Sequence, residues 1–185
     1  ANHPSTDAST LPIHVISLRR SVARRQCIAR QLTSQGISFS FLDAVDGSAL
    51  QNSLRSWVSP LSRLVKGCAF TPGQVGCWLS HRLAWEAAAR APDGVALILE
   101  DDAVIGGGFL AELHAIEKAT RTFEVVQLSF TCVPGRKFHP IADGSGHRVI
   151  GRIFGKANGG GAYLVRSAGA RKLLSIGSMA FCNDD

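Results

Sequence analysis

Three consecutive carboxylates, Glu100, Asp101 and Asp102, directly follow five apolar residues in the stretch VALILEDDA. Adjacent carboxylates repel one another unless water or a cation screens their charge. Mg²⁺ and Mn²⁺ prefer oxygen ligands in proteins and often bridge to phosphate groups. These residues alone leave two interpretations open, a solvated acidic turn or a site for a hard divalent cation.

A second group of charged residues lies near the N-terminus, where four arginines fall within seven positions: Arg19, Arg20, Arg24 and Arg25. Residues 1–66 contain eight Lys/Arg and three Asp/Glu, although the whole chain carries a net charge of only +6. The start of a helix gives cations no benefit from the helix dipole, so a nearby anion explains these arginines better than helix stability does. The anion could belong to a nucleotide, a nucleic acid or a membrane surface, and the alternative is a merely soluble basic surface. Basic residues are not interleaved with aromatic residues here, which argues against a nucleic-acid partner.

Polar residues also interrupt the apolar side of one predicted helix. Arg82 and Glu86 are four residues apart in the stripe that begins with Val75, and Ser80 and His81 lie beside them. Charges in such a stripe either pair with each other or face a cleft. Polar residues that only tie helices together are the alternative interpretation.

Alternating strands and helices are predicted to position these residues. The apolar run VALIL shows no polar alternation, which indicates a strand covered on both faces in a parallel or mixed sheet. Thr71, Pro72 and Gln74 form a capping box at the start of a helix that ends near Arg90, and Ser21 is the expected cap of an earlier helix. The remaining predicted elements are strands at residues 11–18, 37–47, 123–130, 149–154 and 162–166 and helices at residues 21–35, 109–120 and 167–175.

The chain as a whole predicts one α/β domain. A polar lead-in at residues 1–10 is expected to be disordered, and no apolar run approaches the roughly 20 residues that span a bilayer. The five cysteines are odd in number, and no two of them have the C-x-x-C spacing. This pattern argues against a zinc site and against a disulfide framework, and it favours a reducing compartment. The triple glycine at residues 159–161 either permits close approach to a ligand or forms a flexible turn.

The ordered motifs resemble glycosyltransferase family 25, which includes bacterial lipooligosaccharide galactosyltransferases and collagen galactosyltransferases. The resemblance covers most of residues 12–174 and rests on VISLRRSVARR, FLDAVDG, TPGQVGCWLSHRLAW, LILEDDA and GGGAYLVRSAGARKLL. It implies a GT-A-like (Rossmann-like) fold with a mixed, mostly parallel sheet flanked by helices. It further implies a UDP-sugar donor and a Mn²⁺-dependent (or Mg²⁺-dependent) inverting transfer of a hexose, typically galactose, to a glycan or lipid-linked glycan.

The resemblance also implies roles for residues. The acidic motif is a variant of Asp-x-Asp, in which we expect Asp102 to be the principal metal ligand and Glu100 to face the ribose or metal-bound water. If the strand continues through the motif, the Asp101 side chain points to the opposite face of the sheet from its two neighbours. We therefore expect Asp101 to have a structural role. The basic first loop maps onto Arg19, Arg20, Arg24 and Arg25, and the Gly-Cys-x-x-Ser-His helix onto Gly76, Cys77, Ser80 and His81, as nucleotide-binding segments. Asp43 either reaches the uridine ribose or closes a turn.

The general base for the acceptor hydroxyl is not identified by any motif. Family members generally continue into a Val-Asp segment that completes the acceptor side, whereas this chain stops at FCNDD. We therefore expect a single transferase domain over residues 11–185 whose final part is truncated, divergent or represented by Asp184 and Asp185. These two residues and His81 are the candidate catalytic bases.

Two functions other than sugar transfer are also compatible with the sequence. The chain could be a catalytically incomplete nucleotide-binding module, or a Mg²⁺-dependent phosphotransfer domain, which lacks a convincing phosphorylatable Asp on a separate strand end. The expected location is the cytoplasm, at the inner face of the membrane, with basic patches contacting anionic lipid.

Overall fold

The computed structural model describes residues 11–50, 54–58, 70–90, 94–129, 137–143, 149–154 and 159–178. The predicted lead-in at residues 1–10 and the candidate bases Asp184 and Asp185 lie outside the described residues. In chain order the elements are β1 (Ile13–Ser17), α1 (Val22–Thr33), β2 (Ser40–Asp43), a 3₁₀ turn (Gly47–Ala49), α2 (Leu54–Trp57), α3 (Pro72–Arg90), β3 (Val95–Glu100), α4 (Phe109–Ala119), β4 (Val125–Gln127), β5 (Lys137–Asp143), β6 (Val149–Phe154), β7 (Ala162–Arg166) and α5 (Ser167–Leu174).

Five strands form one sheet in the order β2-β1-β3-β7-β4. β1 pairs in parallel with β2 and β3, whereas β7 pairs antiparallel with β3 and β4. Four strands therefore run in one direction and only β7 runs against them, which confirms the mixed, mostly parallel sheet. β5 and β6 form a separate antiparallel hairpin. No described helix is long and apolar enough to cross a membrane.

Helices cover both faces of the sheet. On one face Ala96 and Ile98 of β3 pack with α3 and α5, around Trp78 and Trp85. On the other face Leu97 and Leu99 pack with α1 and α4. The first five residues of β3 are all buried, because alternate side chains enter two different cores. This burial confirms the prediction drawn from the unbroken apolar run.

The two predicted helix starts have different outcomes. At α3 the Thr71 N–H donates to Gln74 Oε1 at 3.0 Å and the Gln74 N–H donates to Thr71 Oγ1 at 3.2 Å, so the capping box is confirmed. Ser21 occupies the cap position of α1 but its side chain makes no capping hydrogen bond. The prediction of a Ser21 side-chain cap is therefore wrong. Gly36, at φ 68°, turns the chain after α1.

Several other elements differ from their predictions. The predicted strand at residues 37–47 is shortened to β2, because Asp46 turns the chain by accepting from the Ser48 N–H at 3.0 Å. The predicted strand at 123–130 contains only the three residues of β4. The partner of β6 is β5, which the sequence did not predict.

Pairing of Arg82 with Glu86, one of the two alternatives that the sequence left open, is replaced by other contacts. Arg82 donates to the backbone oxygens of Leu174, the last residue of α5, and of Ile176 just beyond it, at 3.3 and 2.8 Å. Its guanidinium lies 4.9 Å from the centre of the Trp78 ring. Arg82 therefore ties α5 to α3, since it satisfies carbonyls that a helix end leaves without intrahelical partners.

Candidate functional site

The carboxyl ends of β1, β2, β3 and β4 lie along the same edge of the sheet, because these four strands are parallel. We call the residues at these ends and in the loops that follow them the polar edge; it carries Ser17, Asp43, Glu100 and Gln127. The connection after β1 leads to β2 on one side, whereas the connection after its other parallel neighbour, β3, leads to β4 on the opposite side. Ligands of open α/β sheets bind at such places.

The three adjacent carboxylates of the sequence occupy three different environments. The Ser17 hydroxyl donates to Asp101 Oδ2 at 2.6 Å, and Arg24 donates to Asp101 Oδ1 at 3.2 Å. The side chain of Asp101 is only 10% exposed, whereas that of Asp102 is 58% exposed and lies 3.7 Å from Arg24. Asp101 therefore joins β3 to β1 and α1, while Asp102 stays open to solvent beside a guanidinium.

The arginines of the first loop pair with carboxylates from neighbouring strand ends. Arg19 and Arg25 both contact Asp43, at 2.7 and 2.6 Å, and their hydrogen bonds hold the pKa of this carboxyl below its ordinary value. Arg20 forms an ion pair with Asp46. The basic first loop is thus neutralised within the polar edge rather than presented as an unpaired cationic patch.

These arginines differ in how freely they can meet a ligand. Arg25 is largely covered: it also donates to the Ser17 backbone oxygen at 2.8 Å and lies 4.7 Å from the centre of the Phe41 ring. The side chains of Arg19, Arg20 and Arg24 are mostly exposed. Arg25 therefore fixes the strand ends, and the other three can exchange a surface ion pair of small net energy for a ligand anion.

Glu100 is held by a chain of hydrogen bonds that runs from the core to the polar edge. Trp85 Nε1 lies 2.8 Å from the Tyr163 hydroxyl, which lies 2.9 Å from His81 Nδ1, and His81 Nε2 lies 3.1 Å from Glu100 Oε1. Indole N–H can only donate and an ionised carboxylate can only accept. The protons are therefore ordered from Trp85 through the Tyr163 O–H to His81, whose Nε2 carries the hydrogen given to Glu100.

Two members of this hydrogen-bonded series, Glu100 and Tyr163, have pKa values shifted in opposite directions. The hydrogen bond from His81 keeps the pKa of Glu100 below its ordinary value, so the carboxylate is charged at neutral pH. Burial raises the pKa of the Tyr163 hydroxyl, so this group stays protonated and can donate to His81. His81 itself is 2% exposed and has both ring nitrogens engaged. In this arrangement it has no free lone pair with which to accept a proton from a substrate.

The Gly-Cys-x-x-Ser-His motif is explained by close packing of α3 against the turn after β2. A Cβ on Gly76 would lie 2.7 Å from the Gly47 backbone nitrogen and 2.8 Å from the Val45 oxygen, so only glycine fits. The Ser80 hydroxyl accepts from the Val45 N–H at 2.8 Å and donates to the Gly76 oxygen at 2.6 Å. Ser80 is buried. Its hydroxyl therefore holds the turn that carries Asp43 and Asp46 in place.

The triple glycine at residues 159–161 lies close to the hydrogen-bonded side chains of His81 and Glu100. A Cβ on Gly160 would lie 3.4 Å from both Glu100 Oε1 and His81 Nε2. Gly161 accepts from the Glu100 N–H at 2.8 Å, and Gly159 has a positive φ of 118° and accepts from the Gln127 side chain. The segment that leads into β7 thus covers one side of the His81–Glu100 pair.

Sequence reasoning missed three residues that shape this site: Ser17, Trp85 and Tyr163. Ser17 is a polar residue at the end of an apolar strand, which was a usable signal. Trp85 follows His81 by one helical turn, so the two share a face of α3. Tyr163 is inside an apolar strand from the other end of the chain, and only the fold brings it to His81.

A cleft of about 1040 Å³ opens beside Asp102. Its walls are α4, β4 and the β5–β6 hairpin, and they include Phe109, Phe123 and Phe138. At one end it reaches Asp102, Gln127 and Gly161 of the polar edge and its flanking loop. The site therefore adjoins a large, mainly apolar space on the α4 side of the sheet.

Two residues of the polar edge offer the ligand type that hard divalent cations prefer. Asp102 and Glu100 offer carboxylate oxygens, the ligand type that Mg²⁺ and Mn²⁺ prefer, and Asp102 is open to solvent. Asp101, in contrast, has an oxygen committed to each of Ser17 and Arg24. Asp102 is therefore the carboxylate of this motif that is open to a cation, and Glu100 has one oxygen engaged by His81.

Comparisons with known proteins agree on one family. A family model described as glycosyltransferase family 25 (LPS biosynthesis protein) matches residues 10–185. The human inactive glycosyltransferase 25 family member 3 is 33% identical over 176 residues, which is 88% of this chain and 28% of that protein. The lipooligosaccharide biosynthesis protein lic2B of Haemophilus influenzae is 29% identical over 172 residues, 88% of this chain and 61% of that protein.

A third relative, the lacto-N-neotetraose biosynthesis glycosyltransferase LgtB of Neisseria gonorrhoeae, is 36% identical over 107 residues. The match covers 54% of this chain and 36% of that protein. The chain therefore spans between about a quarter and three fifths of the length of these relatives.

Proposed function

Because the chain belongs to glycosyltransferase family 25, we propose that it transfers a hexose, with galactose as the first candidate, from a UDP-sugar to a glycan or lipid-linked glycan. One observation carries this proposal: Asp102 is open to solvent beside Arg24, while Asp101 is fixed inside the fold. A carboxylate that can hold a cation thus lies next to a guanidinium that can bind phosphate. A nucleoside diphosphate needs both kinds of partner.

The transfer replaces one bond to the anomeric carbon by another. The acceptor hydroxyl attacks this carbon from the face opposite the diphosphate, the bond to the diphosphate oxygen breaks, and the hydroxyl proton passes to a base. Inversion at the anomeric carbon follows from that direction of attack. The departing UDP gathers negative charge, and a divalent cation bound at the polar edge supplies positive charge to it.

The residues of the polar edge have different roles in this proposal: some bind the cation, some bind the diphosphate and others hold these groups in place. We assign the cation to Asp102 and Glu100, and the diphosphate to Arg24 with Arg19 and Arg20 as further donors. Arg25, Asp43, Asp101 and Ser80 are assigned to holding these groups in place, because their polar atoms are engaged within the fold.

His81 is assigned to positioning Glu100, since both of its nitrogens are engaged. Asp184 and Asp185 stay as the candidate bases. The apolar cleft beside Asp102 suits the acceptor side, and the basic first third suits a location at the cytoplasmic face of a membrane that contains anionic lipid.

Release of UDP tests this function. UDP-galactose and UDP-glucose are each incubated with the protein and a lipooligosaccharide acceptor, with and without Mn²⁺. We expect Mn²⁺-dependent UDP release that falls by about 10²–10³-fold in Asp102→Asn, the usual loss when one electrostatic contact to a departing group is removed. Glu124→Gln is the matched control, because Glu124 pairs with Lys172 and precedes β4 at the opposite edge of the sheet.

The UDP-release assay, combined with a measurement of the melting temperature, distinguishes the transferase from a nucleotide-binding module. The similarity to a human relative named as inactive favours a nucleotide-binding module without transfer as the second candidate. If UDP with Mn²⁺ raises the melting temperature but neither UDP-sugar is consumed, the module is correct and the transferase is excluded.

A further inference from the structure

Cys77, His81 and Glu100 form a compact group of three different ligand types. Each residue offers one ligand atom: the Cys77 sulfur, a His81 ring nitrogen and a Glu100 carboxylate oxygen. These three atoms all lie within 4.8 Å of one another. Among the residues that the structure describes, this is the one group of three or more His, Cys, Asp or Glu side chains with such spacing. We propose that these three residues are a binding site for a borderline-soft divalent cation of the Zn²⁺ class.

The fold brings the three ligands together from two elements. Cys77 and His81 are four residues apart in α3, so their side chains project from the same face of the helix. Glu100 enters from the end of β3, and α3 leads into this strand. Ligand atoms around a tetrahedral Zn²⁺ lie roughly 3.5 Å apart, so a small closing movement of the Cys77 and Glu100 side chains brings all three into contact with one ion.

The ligand types distinguish this site from the one at Asp102. Thiolate and imidazole ligands favour Zn²⁺ and similar ions, whereas oxygen ligands alone favour Mg²⁺ and Mn²⁺. Three protein ligands leave a fourth position for water or another group. The two sites share Glu100, which faces His81 with one oxygen and has a second oxygen for the polar edge.

Tyr163 and Trp85 support the imidazole ligand from behind. A ligating histidine almost always gives its other N–H to a polar partner, which fixes the ring, and the Tyr163 hydroxyl lies 2.9 Å from His81 Nδ1. Binding moves the ring hydrogen of His81 from Nε2 to Nδ1, where it is donated to the Tyr163 oxygen, and the Tyr163 hydroxyl hydrogen rotates away from His81. The Cys77 thiol proton passes to solvent, and the thiolate, imidazole and carboxylate then bind the ion.

The lack of C-x-x-C spacing among the five cysteines argued against a zinc site. That reasoning covers only sites built from cysteine pairs. A cysteine and a histidine one helical turn apart leave half of the ligand set to a distant carboxylate, which the fold supplies.

Cobalt binding tests the proposal, and it does not depend on the transfer reaction. The protein is titrated with Co²⁺ alone. Absorbance in the near ultraviolet reports thiolate-to-cobalt charge transfer, and the visible bands report four-coordinate Co²⁺. We expect one equivalent to bind with both signals and Zn²⁺ to displace it. In Cys77→Ser the charge-transfer band should be lost, and in Glu100→Gln the affinity should fall at least tenfold.

Two controls decide the outcome. Cys27→Ser removes an exposed cysteine of α1 and should leave the spectrum unchanged, and Asp102→Asn should also leave it unchanged. Circular dichroism establishes that the Cys77→Ser chain is folded. The proposal is overturned if the wild-type chain gives no charge-transfer band, or if the band persists in Cys77→Ser. A chain that shows the band but does not bind UDP with Mn²⁺ supports this site and contradicts the proposed function.

Discussion

Tyr163 is the single tyrosine of the chain, and its hydroxyl is the link between the core and Glu100. Its oxygen accepts from Trp85 and its hydrogen is given to His81, and this donor role depends on the neutral phenol. Ionisation would remove that hydrogen and bury an unpaired charge close to Glu100. The orientation of Glu100 thus depends on a group 63 positions later in the sequence.

The ionisation of Tyr163 can be measured and tests its buried, hydrogen-bonded position. Burial raises its pKa above the ordinary value of 10.0, so the folded protein binds a proton that the unfolded chain loses. Its contribution to the free energy of unfolding is present below pH 10 and is lost as pH rises above that value. We expect tyrosinate absorbance to appear near pH 10 in urea-unfolded protein, but in native protein only when alkali unfolds it.

Because there is one tyrosine, this titration has no background from other tyrosines. Native protein that titrates reversibly near pH 10 with its fold intact would contradict the buried position of Tyr163. The Tyr163→Phe chain, which has no tyrosinate signal, provides the baseline.

Glycines set the distance between elements at the polar edge. Gly76 of α3 lies against the turn that follows β2, and this contact places Asp43 and Asp46 near the first-loop arginines. The sequence alone predicted the helix, because the capping box is a local signal, and it offered the turn as one of two alternatives for Asp43. It did not predict that they touch, since that contact follows from packing of residues about 30 positions apart.

A pair of substitutions within α3 tests this contact. We expect Gly76→Ala to lower the free energy of unfolding by about 1–3 kcal/mol, because the new methyl group meets backbone atoms that cannot move aside. Gly73→Ala is the matched control in the same helix, since its methyl group would meet only Thr71 Oγ1, at 3.9 Å. This control should be neutral or more stable by up to about 1 kcal/mol, because alanine favours helix.

Urea denaturation of both variants gives the comparison. Equal stability of Gly76→Ala and Gly73→Ala would contradict the close contact between α3 and the turn. A loss of UDP affinity in Gly76→Ala alone would in addition connect the turn to the polar edge.

The same contrast between local and distant signals explains the errors at the level of elements. The capping box at Thr71 was predictable, because both of its partners lie within four residues. Ser21 was an equally good local candidate, but its side chain makes no capping bond. Arg82 and Glu86 have ideal helical spacing, yet Arg82 donates to carbonyls at and just beyond the end of α5. Tertiary contacts decide such cases.

For the whole molecule, strand direction decides which charges meet. The strand predictions placed Glu100 at a strand end but left Asp43 inside the strand predicted at residues 37–47. The shorter β2 ends at Asp43, and the parallel pairing of β1 with β2 and β3 brings the ends of β2 and β3 to one edge. The composition showed an excess of cationic residues in the first third but not their partners. In the fold each arginine of the first loop meets a carboxylate, so the edge combines both signs of charge.

The most direct test of the central claim is calorimetric titration of UDP into the protein with and without Mn²⁺. We predict that UDP binds the wild-type chain and Glu124→Gln much more tightly with Mn²⁺, and that Asp102→Asn loses most of this gain. The account is contradicted if Mn²⁺ does not change UDP affinity, or if Asp102→Asn binds UDP with Mn²⁺ as tightly as the wild-type chain does.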